Sequence, residues 1–352
     1  MIDSSSPPLP VTILTGFLGA GKTTLLNRLL SARHGLRLGV LVNDFGAINI
    51  DERLVDVLAG DSMSLTNGCV CCSMRGSLVT TTLDLLRRTH PPEALIVEAS
   101  GIADPVAVAG AFRTSTLRDR TRIDGIVTVV DAENARNPRL DSQLIAEQIR
   151  TADLVVLNKM DLVADETRQD LTGWIRSMAP AARIVPAVDA AVPIEIVMGI
   201  GRAVDTVGCL FAPGDEGPNE PPDHDHAASF GTWSYSTQHP LAYRKVRAAL
   251  ESLPPDIFRA KGTLALADAP NLRFTGQVVG RRVSIEPDRP WGEGLRGTDL
   301  VFIGRPDAIT SAELVARFDA CASDSLVLMS RPNLKAIKRI ATADRLSEAT
   351  VR

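Results

Sequence analysis

The chain has 352 residues, 45% of them hydrophobic, and a formal net charge of −4. That length is enough for two domains with sizeable cores, and the slightly acidic balance argues against a nucleic-acid partner or an anionic membrane partner. No apolar run reaches the roughly 18 residues of a membrane span. The polar, Pro-rich residues 1–10 read as a frayed leader, not as a secretory signal. The expectation is a cytosolic protein whose thiols stay reduced.

Residues 11–15 predict a short buried strand, and Gly16-Phe17-Leu18-Gly19-Ala20-Gly21-Lys22-Thr23 follows it. This is the full G-x4-G-K-[ST] phosphate loop. Glycines let the backbone curl so that successive N–H groups point at phosphate oxygens. The helix that opens near Lys22 adds its positive end; Leu25, Leu26, Leu29 and Leu30 carry its helical spacing to about residue 34. The candidate nucleotide contacts are Gly16, Gly19, Ala20, Gly21, Lys22, Thr23 and Thr24. Lys22 would reach the β- and γ-phosphates and Thr23 would ligate Mg²⁺.

A strand over 39–42 is broken by Asn43-Asp44-Phe45-Gly46, with Asp51 and Glu52 beyond. Asp44 or Asp51 could serve the metal ion or position water, and Asp44 is a candidate catalytic residue. Three thiols then crowd into Cys69-Val70-Cys71-Cys72. A Cys-x-Cys-Cys turn can converge on one soft or borderline ion, Zn²⁺ or Cu⁺ above all and Co²⁺ as well. A closed zinc site takes four protein ligands, and this loop offers three. The fourth position would fall to water, a carboxylate or a partner. Arg75 is placed to lower the thiol pKa values. A redox device and plain buried thiols stay open as alternatives, and Cys209 and Cys321, each isolated, read as core residues.

A further strand over 94–97 ends in Glu98, with Gly101 three residues on. This is the D-x-x-G pattern of switch GTPases with Glu for Asp. Glu98 would hold Mg²⁺ through water, and the Gly101 N–H would sense the γ-phosphate. The strand over 154–157 delivers Asn158-Lys159-Met160-Asp161, the N-K-x-D guanine signature. A carboxylate at Asp161 can accept both guanine N1–H and the exocyclic amine, while Asn158 and the Lys159 stem shape the pocket. A helix over 166–178, a strand over 183–188 and a helix over 194–203 complete a domain spanning 11–211. Alternating strands and helices imply right-handed crossovers and a parallel sheet.

Residues 212–229, rich in Pro, Gly and acid, predict a linker. His224 and His226 within it are candidate auxiliary metal ligands against a background of solvated linker. A second domain over 230–325 predicts strands near 230–236, 263–267, 272–279, 282–285 and 300–303, with helices over 241–253 and 311–321. That makes an α+β layer with antiparallel strands. Arg259 and Lys261 form a local basic spot there; the domain is a candidate client-docking surface, with a plain structural role as the alternative. Residues 326–352 read as a mildly basic tail.

The segments GFLGAGKTTLL, NDFG, GCVCC, EASGIADP and NKMD, in this order and spacing, resemble the CobW-type P-loop GTPases, with FRAKGTLAL and DLVFIGR resembling their C-terminal domain. The resemblance covers nearly the whole chain. It implies a doubly wound, mainly parallel sheet, zinc or cobalt on Cys69, Cys71 and Cys72, slow GTP hydrolysis, and metal delivery to a client metalloenzyme. Asp44 stands where the family usually carries Glu, and Ala99 where it carries Thr. The expectation is a GTPase acting through Lys22, Glu98 and Asp44, with GTP, Mg²⁺ and Zn²⁺ (or Co²⁺), as a monomer or homodimer. The rivals are a GTP-binding metal sensor or store that transfers nothing, a small-molecule kinase and a thiol redox switch.

Overall fold

The computed structural model describes residues 8–32, 36–43, 62–65, 73–137, 140–198, 230–292 and 296–323. They fall into two compact units, one holding the described residues up to Met198 together with Val279–Arg282, the other holding the rest from Phe230.

In the first unit, strands alternate with helices along the chain: β1 (Leu9–Thr15), α1 (Lys22–Ser31), β2 (Leu38–Asn43), β3 (Ser62–Leu65), α2 (Ser73–Leu86), β4 (Ala94–Glu98), α3 (Pro105–Phe112), β5 (Thr121–Asp131), α4 (Ser142–Thr151), β6 (Leu154–Asn158), α5 (Asp165–Met178), β7 (Arg183–Pro186) and α6 (Ile194–Val197). The sheet has seven strands in the order β3-β2-β4-β1-β5-β6-β7, and every pairing in it is parallel. Parallel strands are covered on both faces, so they read as unbroken apolar runs; β4 and β6 are buried at every position. One core gathers Val11, Ile13, Leu95 and Val97 beneath Leu85 of α2 and Val108 and Phe112 of α3. Another gathers Val130, Val155 and Leu157 beneath Ile145 and Ile149 of α4 and Leu171 and Ile175 of α5.

The strand order positions the site. β1 lies between β4 and β5, where the chain changes direction across the sheet, and open α/β sheets bind ligands at such a point, beyond the carboxyl ends of the strands. Those ends are level: Leu14 pairs with Glu98, Thr15 with Thr128, and Asp131 with Asn158.

The second unit holds β8 (Gly231–Thr237), α7 (Tyr243–Glu251), β9 (Ile257–Ala265), β10 (Leu272–Val279), β11 (Arg282–Pro290), β12 (Thr298–Gly304) and α8 (Ser311–Asp319). Its five strands run in the order β11-β10-β9-β12-β8, with β12 antiparallel to both neighbours. Thr310 opens α8 with a reciprocal cap: its hydroxyl accepts from the Glu313 N–H, and Glu313 accepts from the Thr310 N–H. Tyr235, Phe302 and Phe318 stack in its core, with Phe318 5.3 Å from each of the other two rings.

Three expectations change. β9 starts at Ile257, earlier than residue 263, and Arg259 lies buried within it at 3% exposure. Arg259 therefore adds nothing to a surface basic spot: a central strand covers both faces of its residues, charged ones included. Of the helix expected over 194–203, the described part is a single turn, Ile194–Val197, ended by an extended Met198, and residues 199–203 lie outside the described residues. The strand expected over 183–188 stops at Pro186, because the following residues turn into the site described below. Cys321 is buried, as expected of a core thiol; it donates to the Arg317 carbonyl at 3.4 Å, and burial pushes its pKa up. Cys209 lies outside the described residues.

Tyr235 is buried and donates its phenol to Asp319 Oδ1 at 2.9 Å. Burial first, and the hydrogen bond to Asp319 second, push its pKa up to about 12. The protonated phenol is thus favoured by folding, so its contribution is intact below the ordinary tyrosine pKa of about 10 and is lost as pH rises from there towards about 12. The chain has two tyrosines. In a Tyr243→Phe variant the remaining phenol should ionise near pH 12 by ultraviolet absorbance, and Asp319→Asn should lower that midpoint; a midpoint near that of free tyrosine would contradict the assignment.

Candidate functional site

The loop after β1 turns back on itself through Gly16, Gly19 and Gly21, with φ of 138°, 76° and 105°. Gly21 is the N-cap of α1 and brings no side chain to its first turn, which leaves the helix start to an outside acceptor. It must also be glycine for space: an added Cβ there would run into the Asn158 side-chain amide. Lys22 is buried at 8% exposure and donates to the Phe17 carbonyl at 3.3 Å, curling back over the loop. The Thr23 hydroxyl donates to Glu98 Oε1 at 3.0 Å, and Thr24 faces solvent.

The Thr23–Glu98 contact joins two motifs that lie 75 residues apart in sequence. Glu98 ends β4 at 4% exposure, and an ionised buried carboxylate needs compensation. A hydroxyl and a carboxylate side by side are a hard-oxygen pair of the kind Mg²⁺ prefers, so the residues present fit that ion. Beyond Glu98 the chain carries Gly101 under the phosphate loop. A Cβ on Gly101 would lie 2.8 Å from the Leu18 nitrogen, so the two backbones touch.

Asn158 ends β6 at 3% exposure. Its Nδ2 donates to the Ala20 carbonyl at 3.0 Å, and its Oδ1 accepts from the Ala190 N–H at 2.7 Å. One side chain thus ties the phosphate loop to the turn after β7. Lys159 has left-handed backbone (φ 61°), and its Nζ pairs with Asp131 Oδ2 at 2.6 Å. Asp131 also accepts from the Glu133 and Asn134 N–H groups, so the Lys159 stem is held straight. Asp161 is exposed on the short 3₁₀ turn Met160–Leu162, open to a base.

Lys159, Asp189 and Ala190 are the non-glycine residues with positive φ among the described residues. Each such residue costs about 1–2 kcal/mol, and their concentration around one pocket is the mark of a functional site. The turn is held by Ala187, which accepts from the Met160 N–H at 3.1 Å, and by Arg28 of α1, whose guanidinium bonds both the Asp189 carbonyl and its carboxylate.

The structure therefore brings together Gly16, Gly19, Ala20, Gly21, Lys22, Thr23, Glu98, Gly101, Asn158, Lys159 and Asp161. It adds Arg28, Asp131, Asp189, Ala190 and Gln148, which carry no motif of their own. A carboxylate at the end of an apolar strand was the available signal for Asp131; Arg28 and Gln148 had none. Asp44, Cys69, Cys71, Cys72, His224 and His226 lie outside the described residues, and no cluster of metal-ligating side chains occurs among the described ones.

A phosphate loop at the switch point, a hydroxyl–carboxylate pair beside it and a strained N-K-x-D pocket define a P-loop nucleotide hydrolase of guanine type. Residues 10–186 match the CobW/HypB/UreG nucleotide-binding domain, and residues 230–322 match the cobalamin synthesis protein cobW C-terminal domain. A Sinorhizobium protein called zinc chaperone CobW is 32% identical over 338 residues, covering 85% of this chain and 93% of its own. The Escherichia coli zinc chaperone YjiA is 30% identical over 310 residues, covering 84% and 94%. The crystal structure of zinc-bound YjiA GTPase aligns over 90% of this chain and 100% of that one, at 25% identity and a TM-score of 0.45. The chain belongs to the CobW family of the CobW/HypB/UreG GTPases, and it is a GTPase.

Asn158→Ala would strand a buried carbonyl and a buried N–H, at about 1–3 kcal/mol for each group. Affinity for GDP should fall about tenfold or more, since 1.4 kcal/mol is a factor of ten. A fluorescent-GDP titration beside a thermal melt measures it; unchanged GDP affinity would contradict the bridging role.

Proposed function

We propose that this GTPase is a metallochaperone that loads Zn²⁺, or Co²⁺, on Cys69, Cys71 and Cys72 and delivers it to a client enzyme. The supporting observation is the Cys-x-Cys-Cys run in a chain whose relatives, matching over 85% and 84% of its length, are called zinc chaperones. The thiols fall in residues 66–72, between Leu65 of β3 and Ser73 of α2. β3 borders β2, and β2 borders Glu98-bearing β4. Leu65, the last described residue before the thiols, therefore ends at the same carboxyl edge of the sheet as Glu98.

GTP lies with its phosphates in the loop from Gly16 to Thr24. Lys22 neutralises the β- and γ-phosphates, and the Gly101 N–H meets the γ-phosphate. When bound, Mg²⁺ offsets phosphate charge; the Thr23 hydroxyl and the Glu98 carboxylate would hold it. Asp44 is the candidate to orient the attacking water. Hydrolysis is phosphoryl transfer to water by positioning and charge neutralisation, and loss of the γ-phosphate removes one contact of the Gly101 loop. His224 and His226 are auxiliary ligands for the cargo in this reading.

Asp161 selects guanine by accepting N1–H and the exocyclic amine. Asp161→Asn replaces one acceptor by a donor, which suits a base carrying a carbonyl at that position. Preference should move from GTP to xanthosine triphosphate, by at least about tenfold for a bidentate charged contact; an unchanged preference for GTP would place the base elsewhere.

Zinc titration with GTP, with GDP and without nucleotide tests the cargo site. A coupling of about 1–3 kcal/mol predicts a 5- to 150-fold dependence of zinc affinity on nucleotide state, and the Cys71→Ser, Cys72→Ser variant should lose the tight site. Equal affinity in all three states refutes the switch; tight binding by the variant refutes the ligands. Metal transfer to an apo-enzyme with GTP but not with GDP separates delivery from storage.

A further inference from the structure

We propose that Gln148 is a positioning residue for GTP hydrolysis: it holds the loop that carries Gly101 against the phosphate loop. The proposal rests on the reading of Gly101 as the γ-phosphate contact. Gln148 is a polar residue at 1% exposure on α4, between the buried Ile145 and Ile149. A side-chain amide in such a place needs partners. Its Nε2 donates to the Gly101 carbonyl at 3.0 Å and also faces the Ala103 carbonyl at 3.5 Å. Two carbonyls present acceptors alone, so this place requires a donor.

The rest of the residue is anchored to the sheet. The Gln148 carbonyl accepts from the hydroxyl of Thr128 on β5 at 3.0 Å, and Thr128 is itself buried. Thr128 pairs in register with Thr15, the residue before the phosphate loop. Gln148 thus reaches from the helix after β5 to the loop after β4, across the end of β1 that lies between them. On its far side Gly101 touches the Leu18 nitrogen. The Gly101 segment is therefore gripped between the phosphate-loop backbone and one buried amide.

The segment is tightly packed against Leu18, and the Gln148 amide supplies the side-chain hydrogen bond that fixes the Gly101 carbonyl, and with it the direction of the residue, inside that packing. Catalysis by positioning is sensitive to displacement; a shift of about 1 Å is worth about 100-fold in rate.

The test compares full-length wild type, Gln148→Leu and Gln148→Glu. Leucine is apolar, ends one bond short of Nε2 and has no donor. Its kcat for GTP should fall about tenfold or more, while affinity for GDP, which lacks the γ-phosphate, stays within about twofold. Glutamate can donate only when protonated, so its kcat should fall with rising pH over a range where the wild type does not. A Gln148→Leu enzyme with wild-type kcat overturns the proposal, as does a loss of GDP affinity in step with kcat. Should Gln148→Leu fail to fold, the Gln148→Glu profile decides, and one parallel to the wild type overturns it. Amide hydrogen exchange at Gly101 is the separate control: equal protection in the complexes with GDP and with a non-hydrolysable GTP analogue would show that the reading of Gly101 fails, whatever the Gln148 variants do.

Discussion

The nucleotide pocket depends on one buried side-chain amide, that of Asn158. Its donor end takes the Ala20 carbonyl and its acceptor end takes the Ala190 N–H. No other residue type of that size offers a donor and an acceptor on one rigid plane. With both ends engaged, the phosphate loop and the strained turn after β7 become one body. With either end lost, a buried polar backbone group is stranded, and the left-handed residues nearby lose a bond that holds them.

Close backbone approach is the second constraint. The phosphate loop lies directly on Asn158 at Gly21 and directly against Gly101 at Leu18. Packed interiors leave little slack at such contacts. The Gly101 segment adjoins the phosphate loop at Leu18, and the loop is tied through Thr23 to Glu98 at the end of β4. β4 borders β2, whose chain continues into the residues that precede the three clustered cysteines.

The two units are built on different rules. In the first, parallel strands are buried on both faces, and side-chain chemistry collects at their carboxyl ends. In the second, β12 runs antiparallel between β8 and β9, and an aromatic core of Tyr235, Phe302 and Phe318 closes under α8. Its polar groups pair within the unit, as in the buried Tyr235 with Asp319 and the exposed Thr310–Glu313 cap. They serve stability, whereas in the first unit the buried Lys22, Glu98 and Asn158 lie at the nucleotide site.

Local chemistry was enough to read the phosphate loop, Glu98 with Gly101, and Asn158 to Asp161, because each is a short contiguous run at a strand end whose backbone demands are visible in glycines and apolar neighbours. It was enough for the parallel α/β class as well, since uninterrupted apolar runs alternate with helical spacing. It was not enough for β5, whose first half carries Arg122 and Asp124, nor for β9, where a buried Arg259 breaks the apolar signal. Arg28, Asp131, Asp189, Ala190 and Gln148 acquired their roles only in three dimensions. Each acts on a residue far away in sequence, such as Gln148 on Gly101 or Arg28 on Asp189. A hydrogen bond of that kind depends on which strands become neighbours, and strand order is a property of the folded sheet, not of any segment within it.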